Sequence, residues 1–403
     1  MTTSASGSSA AAAPDWRRNQ AAVTIATFVG FTAFTLAMPF LPLYFEQLGV
    51  HDTGALAIWS GVSLGVTPAI TAAVAPIWAR IAERHGRKLM VERSLIAFVV
   101  VMAALGAVRA PWQVLALRAL LGLFAGYGPI ALTMAAESAP HEHMATAIGW
   151  VQTAQRLGPT LGPVVGGALA AALGLRQTFV VAAGLYLGAL ILVFVGYREE
   201  GLRAPEHHDE GAGPPTWSTL RAMPHFFLFL GVIFGLQLVD RSFGPVLPLY
   251  LGQMGTPPER IAFVSGAVFT ITAGAAALGH HVTSRLLQRW RPALVVAPAC
   301  AVGAVGAAAF GLGLPTEVLM LTAVLFGIGI GIATTAVYTA AGRAASVSAR
   351  GVVFGYLTTG YLVALAVSPV VAGLVGARSM RAVFFLDAAG LAVMAGVVRR
   401  GMA

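Results

Sequence analysis

The stretch Arg80-Ile81-Ala82-Glu83-Arg84-His85-Gly86-Arg87-Lys88 lies between two apolar runs, 56–79 and 90–108, each long enough to cross a bilayer. Five basic residues stand between Arg80 and Arg93. A charge at the centre of the hydrocarbon costs about 2.5–3.5 kcal/mol on insertion scales, so this stretch reads as a cytoplasmic turn that sets the topology of the rest. Gly86 suits a tight bend, and Arg84, Arg87 and Lys88 suit the headgroup level. Taken alone, the same residues are also what an ordinary positive-inside loop contains.

Composition gives the class. With 57% hydrophobic residues, 10% charged ones and a mean hydropathy of +0.79, the chain reads as an all-α integral membrane protein. At about 20 apolar residues per span, 403 residues hold about a dozen helices and leave little room for a soluble domain. The net charge of +9 therefore reads as topology, with the lipid bilayer as partner and no nucleic acid. Cys300 is the one cysteine, which excludes an intramolecular disulfide and a cysteine metal cluster. No nucleotide loop, metal-ligand spacing or catalytic triad is present in the sequence. An enzyme is not indicated, no metal or cofactor is expected, and the energy source that fits is a proton gradient.

In chain order, residues 1–19 read as a disordered cytoplasmic tail ending at the anchor Arg17-Arg18. The apolar run that follows extends to Phe45, too long for a signal-peptide core, and reads as the first span. Further runs lie at 56–79, 90–108, 112–136, 145–173, 177–197, 224–251, 260–284, 292–313, 316–341, 351–377 and 380–398, making twelve spans. Residues 20–197 form one six-helix half, the polar Gly/Pro-containing segment 198–223 a cytoplasmic linker, and 224–403 a second half. The halves repeat. Pro39-Phe40-Leu41-Pro42-Leu43-Tyr44 returns as Pro245-Val246-Leu247-Pro248-Leu249-Tyr250, an offset of 206. The same offset aligns Gly162-Pro163-Val164-Val165 with Ser368-Pro369-Val370-Val371 and Ala182-Ala183-Gly184-Leu185 with Ala388-Ala389-Gly390-Leu391. At an offset of 205, Ser60-Gly61 matches Ser265-Gly266. Two parallel six-helix repeats imply a site at their interface, reached alternately from each side.

These residues resemble the major facilitator superfamily, and within it the twelve-helix drug:proton antiporters, most closely the bacterial MdtG-type multidrug exporters. The family pattern G-x-L-A-D-R-x-G-R-K is met by Ala82, Arg84, Gly86, Arg87 and Lys88, with Ala79 and Glu83 departing from it. Arg118 and Gly122 match the pattern R-x-x-Q-G, with Leu121 in place of glutamine. Gly162, Pro163, Gly166 and Gly167 complete G-P-x-x-G-G, which in the family accompanies antiport. The resemblance implies a cell inner (cytoplasmic) membrane protein with both termini cytoplasmic. It implies a monomer that exports small amphipathic compounds by exchange with protons. It also implies a latch, with Glu83 at the N-terminus of the eleventh span near Gly351 and Arg84 or Arg87 meeting Glu137. An importer of a nutrient or metabolite by proton symport is the alternative, and a transporter-like sensor or scaffold is the third reading.

The residues carry their own chemistry. Gly158, Gly162 and Gly166 make a smooth stripe on one helix face, and Pro163 favours a bend there; packing alone accounts for such a stripe as well as a role in rocking does. Ionisable groups inside spans demand a partner or a wet cavity. They are Arg118, Arg156, Asp240, Arg241 and Asp387. Arg156, about 16 Å into its span, lies about 200° around the helix from Gly158, with Gln152 on its own face, so it points to a cavity or to another helix. Asp240, paired with Arg118 or Arg241, is either the proton-coupling carboxylate or half of a static pair. Asp387 is the next carboxylate, with Arg378 or Arg381 as candidate partners. Phe34, Met38, Tyr127, Gln237, Tyr338 and Tyr361, with Phe31, offer stacking and hydrogen bonds to a small-molecule substrate, or fill core. His280 and His281 read as interfacial.

Overall fold

The computed structural model describes residues 16–199, 223, 225–345 and 350–401, with the side chains of Pro76, Ala79, Arg80, Glu83, His141, Ala145 and Arg350, and the surroundings of Gly351, outside the described set. The first span is α1 (Trp16–Ala37), a 3-10 turn (Met38–Phe40) and α2 (Leu41–Gln47). Next come α3 (Thr53–His85) and α4 (Arg87–Leu105), and then α5 (Pro111–Phe124) and α6 (Tyr127–Ser138), which together make the fourth span. α7 (Met144–Leu173) and α8 (Leu175–Gly196) complete the first half. The second half is α9 (Phe226–Gln253), α10 (Pro258–Arg289), α11 (Pro292–Gly311), α12 (Thr316–Ala344), α13 (Arg350–Gly376) and α14 (Met380–Gly401). Nearly all of the linker predicted at 198–223 lies outside the described residues.

Among the described residues, ten spans are long and apolar enough to cross a membrane by themselves. The other two, α4 and α7, are the ones diluted by Arg87, Lys88, Glu92 and Arg93 and by Gln152, Gln155 and Arg156. Each packs by one face and exposes large apolar side chains on another, Ile96 and Val100 on α4 and Leu161 and Val165 on α7. α4 buries Val91, Leu95, Phe98 and Met102, one helical stripe, while packing against α8; α7 packs against α1 and α10.

Four local departures from the sequence reading have local causes. The stretch Arg80–His85 is not a turn but the end of α3, a helix about 50 Å long at 1.5 Å per residue, and the reversal is confined to Gly86 at φ +88°. That left-handed φ is one that favours glycine. α1 takes in Trp16 to Asn19, which the sequence reading left in the tail; Asn19 both donates to the Arg198 carbonyl (2.8 Å) and accepts from the Arg198 amide (2.9 Å). The first span breaks at Met38–Phe40, where Pro39 and Pro42 each lack an amide donor, whereas their repeat mates Pro245 and Pro248 lie within the unbroken α9.

The fourth span also breaks, at Ala125-Gly126, with Gly126 at φ +134°. Pro129 is the cause: it has no amide to offer the carbonyl four residues back, that of Ala125, and its ring crowds it. The freed carbonyls are taken by side chains from α3 and α4. Trp78 Nε1 donates to Leu123 O (2.7 Å), Arg93 Nη2 to Phe124 O (3.1 Å) and Thr71 Oγ1 to Gly122 O (3.2 Å). Arg93 also lies over the Trp78 ring, 3.3 Å from its centroid. Broken helices are tolerated at membrane depth when neighbours re-satisfy the backbone in this way.

Candidate functional site

The two halves meet along two seams, α3 against α13 and α7 against α10. Each is a backbone-to-backbone contact that only glycine permits. The Pro163 carbonyl lies against Gly266 and the Pro369 carbonyl against Gly61, while Gly167 would place a Cβ 2.6 Å from Ala262 O. Thr270 Oγ1 accepts a hydrogen bond from the Val164 amide across the second seam (3.2 Å). The contacts run from Gly54, beside Ala377, to Gly65, beside Ala366, at the end of the bundle remote from Gly86. Toward the Gly86 end, α3 turns to its own half, with Thr71 and Trp78 on α5. α13 does the same, with Phe354 against Gly342 of α12.

Between the seams, polar groups from several helices converge. Arg241 Nε and Asp240 Oδ2 on α9 pair at 3.1 Å, with side chains 45% and 22% exposed in a helix otherwise mostly buried at this level. Arg241 also bonds Tyr361 of α13. Asp240 and Arg156 of α7 both act electrostatically on His280 of α10, whose Nδ1 lies 2.6 Å from Thr335 Oγ1 of α12. Tyr338, also on α12, feels the Tyr361 phenol. Gln237, one turn before Arg241, is buried with its Oε1 unpartnered among the described residues. Gln152 and Arg156 share an exposed face of α7. The cluster holds two arginines, one carboxylate, one imidazole and two phenols, with Asp240, Arg241 and Arg156 partly or fully exposed.

His280, which the sequence reading took as interfacial, is half-buried and bonded to α12, while His281 is exposed. A polar residue on the repeat-facing side of a helix was the available signal, but the side of α10 that faces α12 is set by packing.

Other candidates lie elsewhere. Arg118 is 1% exposed and belongs to the first half's interior: its Nε donates to Ser63 O (2.7 Å) and its Nη1 sits on Met38 Sδ. It is thus not the partner of Asp240, and Met38 is its neighbour instead of cavity wall. Tyr127 is buried too, donating to Thr27 Oγ1 (3.0 Å), with Phe31 6.3 Å away ring to ring. Phe34 packs half-buried on the same core. Asp387 pairs with neither Arg378 nor Arg381; its partner is Ser242 Oγ at 2.5 Å, and Arg381 reaches Tyr250 and Gly313. The glycine stripe has two faces. Gly158, Gly162 and Gly166 seat on α1 at Phe28, Thr32, Thr35 and Leu36, and Pro163 and Gly167 face α10.

At the Gly86 end the charged stretch is tied into its own half. Arg87 pairs with Glu137 of α6, and Lys88 Nζ donates to the carbonyls of Phe194 (2.9 Å) and Tyr197 (2.8 Å) at the end of α8. Arg84 is exposed, and the pairing proposed for Glu83 falls on a side chain outside the described set, as does the Gly351 side of it. The acid seen at a helix start is Glu199, whose Oε1 accepts from the Arg87 amide at 2.7 Å. Gly86 itself has no side chain to cap α4. Burial pushes the adjacent Tyr197 phenol up, with the Ser138 hydroxyl, 3.5 Å away, pulling it partly back.

The sequence profile of the Major Facilitator Superfamily matches residues 23–318. The chain is 36% identical over 267 residues to "Multidrug resistance protein MdtG" of Dickeya zeae, covering 66% of this chain and 64% of that protein. To the protein of the same name in Salmonella typhimurium it is 34% identical over 278 residues, 69% of each. The chain therefore spans just under two thirds of the length of the Dickeya relative. The fold resembles the inward-facing, occupied crystal structure of a bacterial homologue of the human lysosomal transporter Spinster, at TM-score 0.75 and 16% identity over 95% of this chain and 96% of that one. A mutant of the nucleoside transporter NupG gives TM-score 0.72 at 13% identity, over 96% and 100%.

Proposed function

The chain belongs to the Major Facilitator Superfamily, and from that premise we propose that it exports small amphipathic compounds in exchange for protons, by alternating access. The observation that carries the reading is the convergence of Asp240, Arg241, Arg156, His280 and Tyr361 between two glycine seams, in a chain similar to proteins named for multidrug resistance. The end bearing Arg84, Arg87 and Lys88 is cytoplasmic by the positive-inside rule, as are Arg399 and Arg400 at the end of α14. The protein then sits in the cytoplasmic membrane with its seams closed on the outside, an inward-facing state.

The chemistry follows from one carboxylate with two competitors. Asp240 is 22% exposed and is held by Arg241. A proton on Asp240 weakens that pair, and a cationic or polar group of the substrate competes for the same oxygen atoms. Binding of one therefore disfavours the other, and by reciprocal linkage the gradient of protons drives the substrate out. Rocking about the seams moves the site from one side to the other. All the groups invoked come from one chain, which suits a monomer, and the gradient replaces any cofactor.

The test is uptake into inverted membrane vesicles under an imposed pH gradient, after a growth-inhibition panel in a pump-deficient host has found compounds the protein protects against. Accumulation that collapses with the gradient supports the reading. Gradient-driven accumulation in right-side-out vesicles alone would make the protein an importer and overturn it.

A further inference from the structure

Asp387 is a carboxyl the proposed cycle leaves unused. It is 6% exposed and its partner Ser242 4%, so both are inside the second half and away from the central cluster. Phe243, Phe310, Phe326 and Phe384 form a connected ring cluster beside them, with Phe243 4.7–5.0 Å from each of the other three. Phe243 follows Ser242 directly, and Phe384 is one turn from Asp387 on the same helix face. An ionised carboxylate in such surroundings needs strong partners.

The hydrogen-bond count at Ser242 suits the acid. Ser242 Oγ lies 2.5 Å from Asp387 Oδ2 and 2.9 Å from the Val239 carbonyl. A serine hydroxyl has one proton, whereas a carbonyl and a carboxylate both accept. An ionised Asp387 would leave two acceptors sharing one donor. A protonated Asp387 closes the count: its O–H donates to Ser242 Oγ, and Ser242 donates to Val239 O.

Among the described residues no charged group stands in for the proton, and Ser242 is the hydrogen-bond partner of Asp387. On α9, Asp240 and Arg241 pair with each other and Tyr250 donates to Phe310 O. On α14, Arg381 reaches Tyr250, and Arg399 and Arg400 lie more than three turns away. α11 contributes the neutral thiol-bearing Cys300, and α13 contributes Tyr356 and Tyr361, the first beside Phe226 and the second on Arg241. Packing does not call for the pair either. At the repeat offset of 206, Ser242 and Asp387 correspond to Leu36 and Val181, both apolar, and Leu36 is fully buried.

We propose that Asp387 is a second proton-binding site, distinct from Asp240, and that it carries its proton in this conformation with Ser242 as hydrogen-bond acceptor. The assignment rests on the geometry of the second half and is independent of what is transported or in which direction.

The experiment is infrared spectroscopy of the full-length protein in lipid nanodiscs across a pH series. The wild type is expected to show a protonated-carboxyl stretch at neutral pH. The band is absent in Asp387→Asn, remains in Asp240→Asn, and shifts in Ser242→Ala, which loses the acceptor. Spectra that are the same for wild type and Asp387→Asn overturn the proposal. Should Asp387→Asn fail to fold, a band that does not move in Ser242→Ala overturns it equally. Vesicle uptake measured on the same variants reports on export separately, so loss of one reading leaves the other standing.

Discussion

The carbonyl of Pro163 fills the space in which Gly266 would carry a side chain, and the carbonyl of Pro369 does the same to Gly61. Pro163 and Pro369 are repeat mates, as are Gly61 and Gly266, so one sequence correspondence generates both seams. The two contacts are the pseudo-twofold axis expressed in backbone atoms.

Gly266→Leu and Gly61→Leu are therefore expected to prevent closure at the outer end. In a Cys300→Ser background, a single cysteine placed on the outer half of α10 or α3 should become permanently reactive to a membrane-impermeant thiol reagent. Transport should fall at least about tenfold, the cost of about 1.4 kcal/mol in the closing equilibrium. Unchanged labelling in both variants would remove the seams from the cycle.

Asp240→Asn keeps the shape of the central site and removes the carboxylate that pairs with Arg241. Uphill uptake into inverted vesicles should be lost, while exchange of labelled for unlabelled substrate continues. Substrate-induced proton release in detergent should vanish with it. A variant that still accumulates substrate against its gradient and still releases protons shows that coupling lies elsewhere.

His280 links the cluster to α12 through Thr335 and stands in the fields of both Arg156 and Asp240. His280→Gln retains a hydrogen-bonding side chain and removes the titratable ring. Its pH profile of uptake between pH 6 and 8 should differ in shape from that of the wild type, with expression unchanged. Superimposable profiles would return His280 to a structural tie.

Glu199→Ala removes the carboxylate from the start of α4 and leaves the Arg87 amide without its cap. A loss of about 1 kcal/mol is expected, the usual scale for an N-cap deletion. A thermal midpoint in detergent lower by about 1 °C checks it. Glu199→Gln, which still accepts a hydrogen bond, should recover part of the loss; no difference between wild type and Glu199→Ala would mean the contact adds nothing.

Trp78→Phe keeps the ring under Arg93 but takes away the donor to Leu123 O at the break between α5 and α6. About 1 kcal/mol of stability should go with it. Arg93→Lys is expected to cost more, because an ammonium neither stacks on Trp78 nor spans to Phe124 with a planar fork. The thermal midpoints of the two variants, ranked in that order, test the clasp.

The sequence by itself determined the class, the repeat and the residues able to form the seams, because these depend on composition and on spacing along one chain. Apolar length decides what crosses a bilayer, and an offset of 206 decides which prolines and glycines correspond. The break at Ala125-Gly126 was also written locally, in Pro129, though its harmlessness was not: the donors that make it tolerable come from α3 and α4. The pairs Asp240–Arg241 and Arg87–Glu137 were among those the sequence offered, but tertiary structure decided the others. Arg118 turned to Ser63 and not to Asp240, Glu199 capped a helix starting 112 residues earlier, and Asp387 met Ser242 across 145 residues. Inside a membrane bundle, whether a polar side chain faces lipid, core or cavity is set by how each helix is rotated against its neighbours. That rotation is settled by close packing of small residues between distant spans, which hydropathy along the chain does not record.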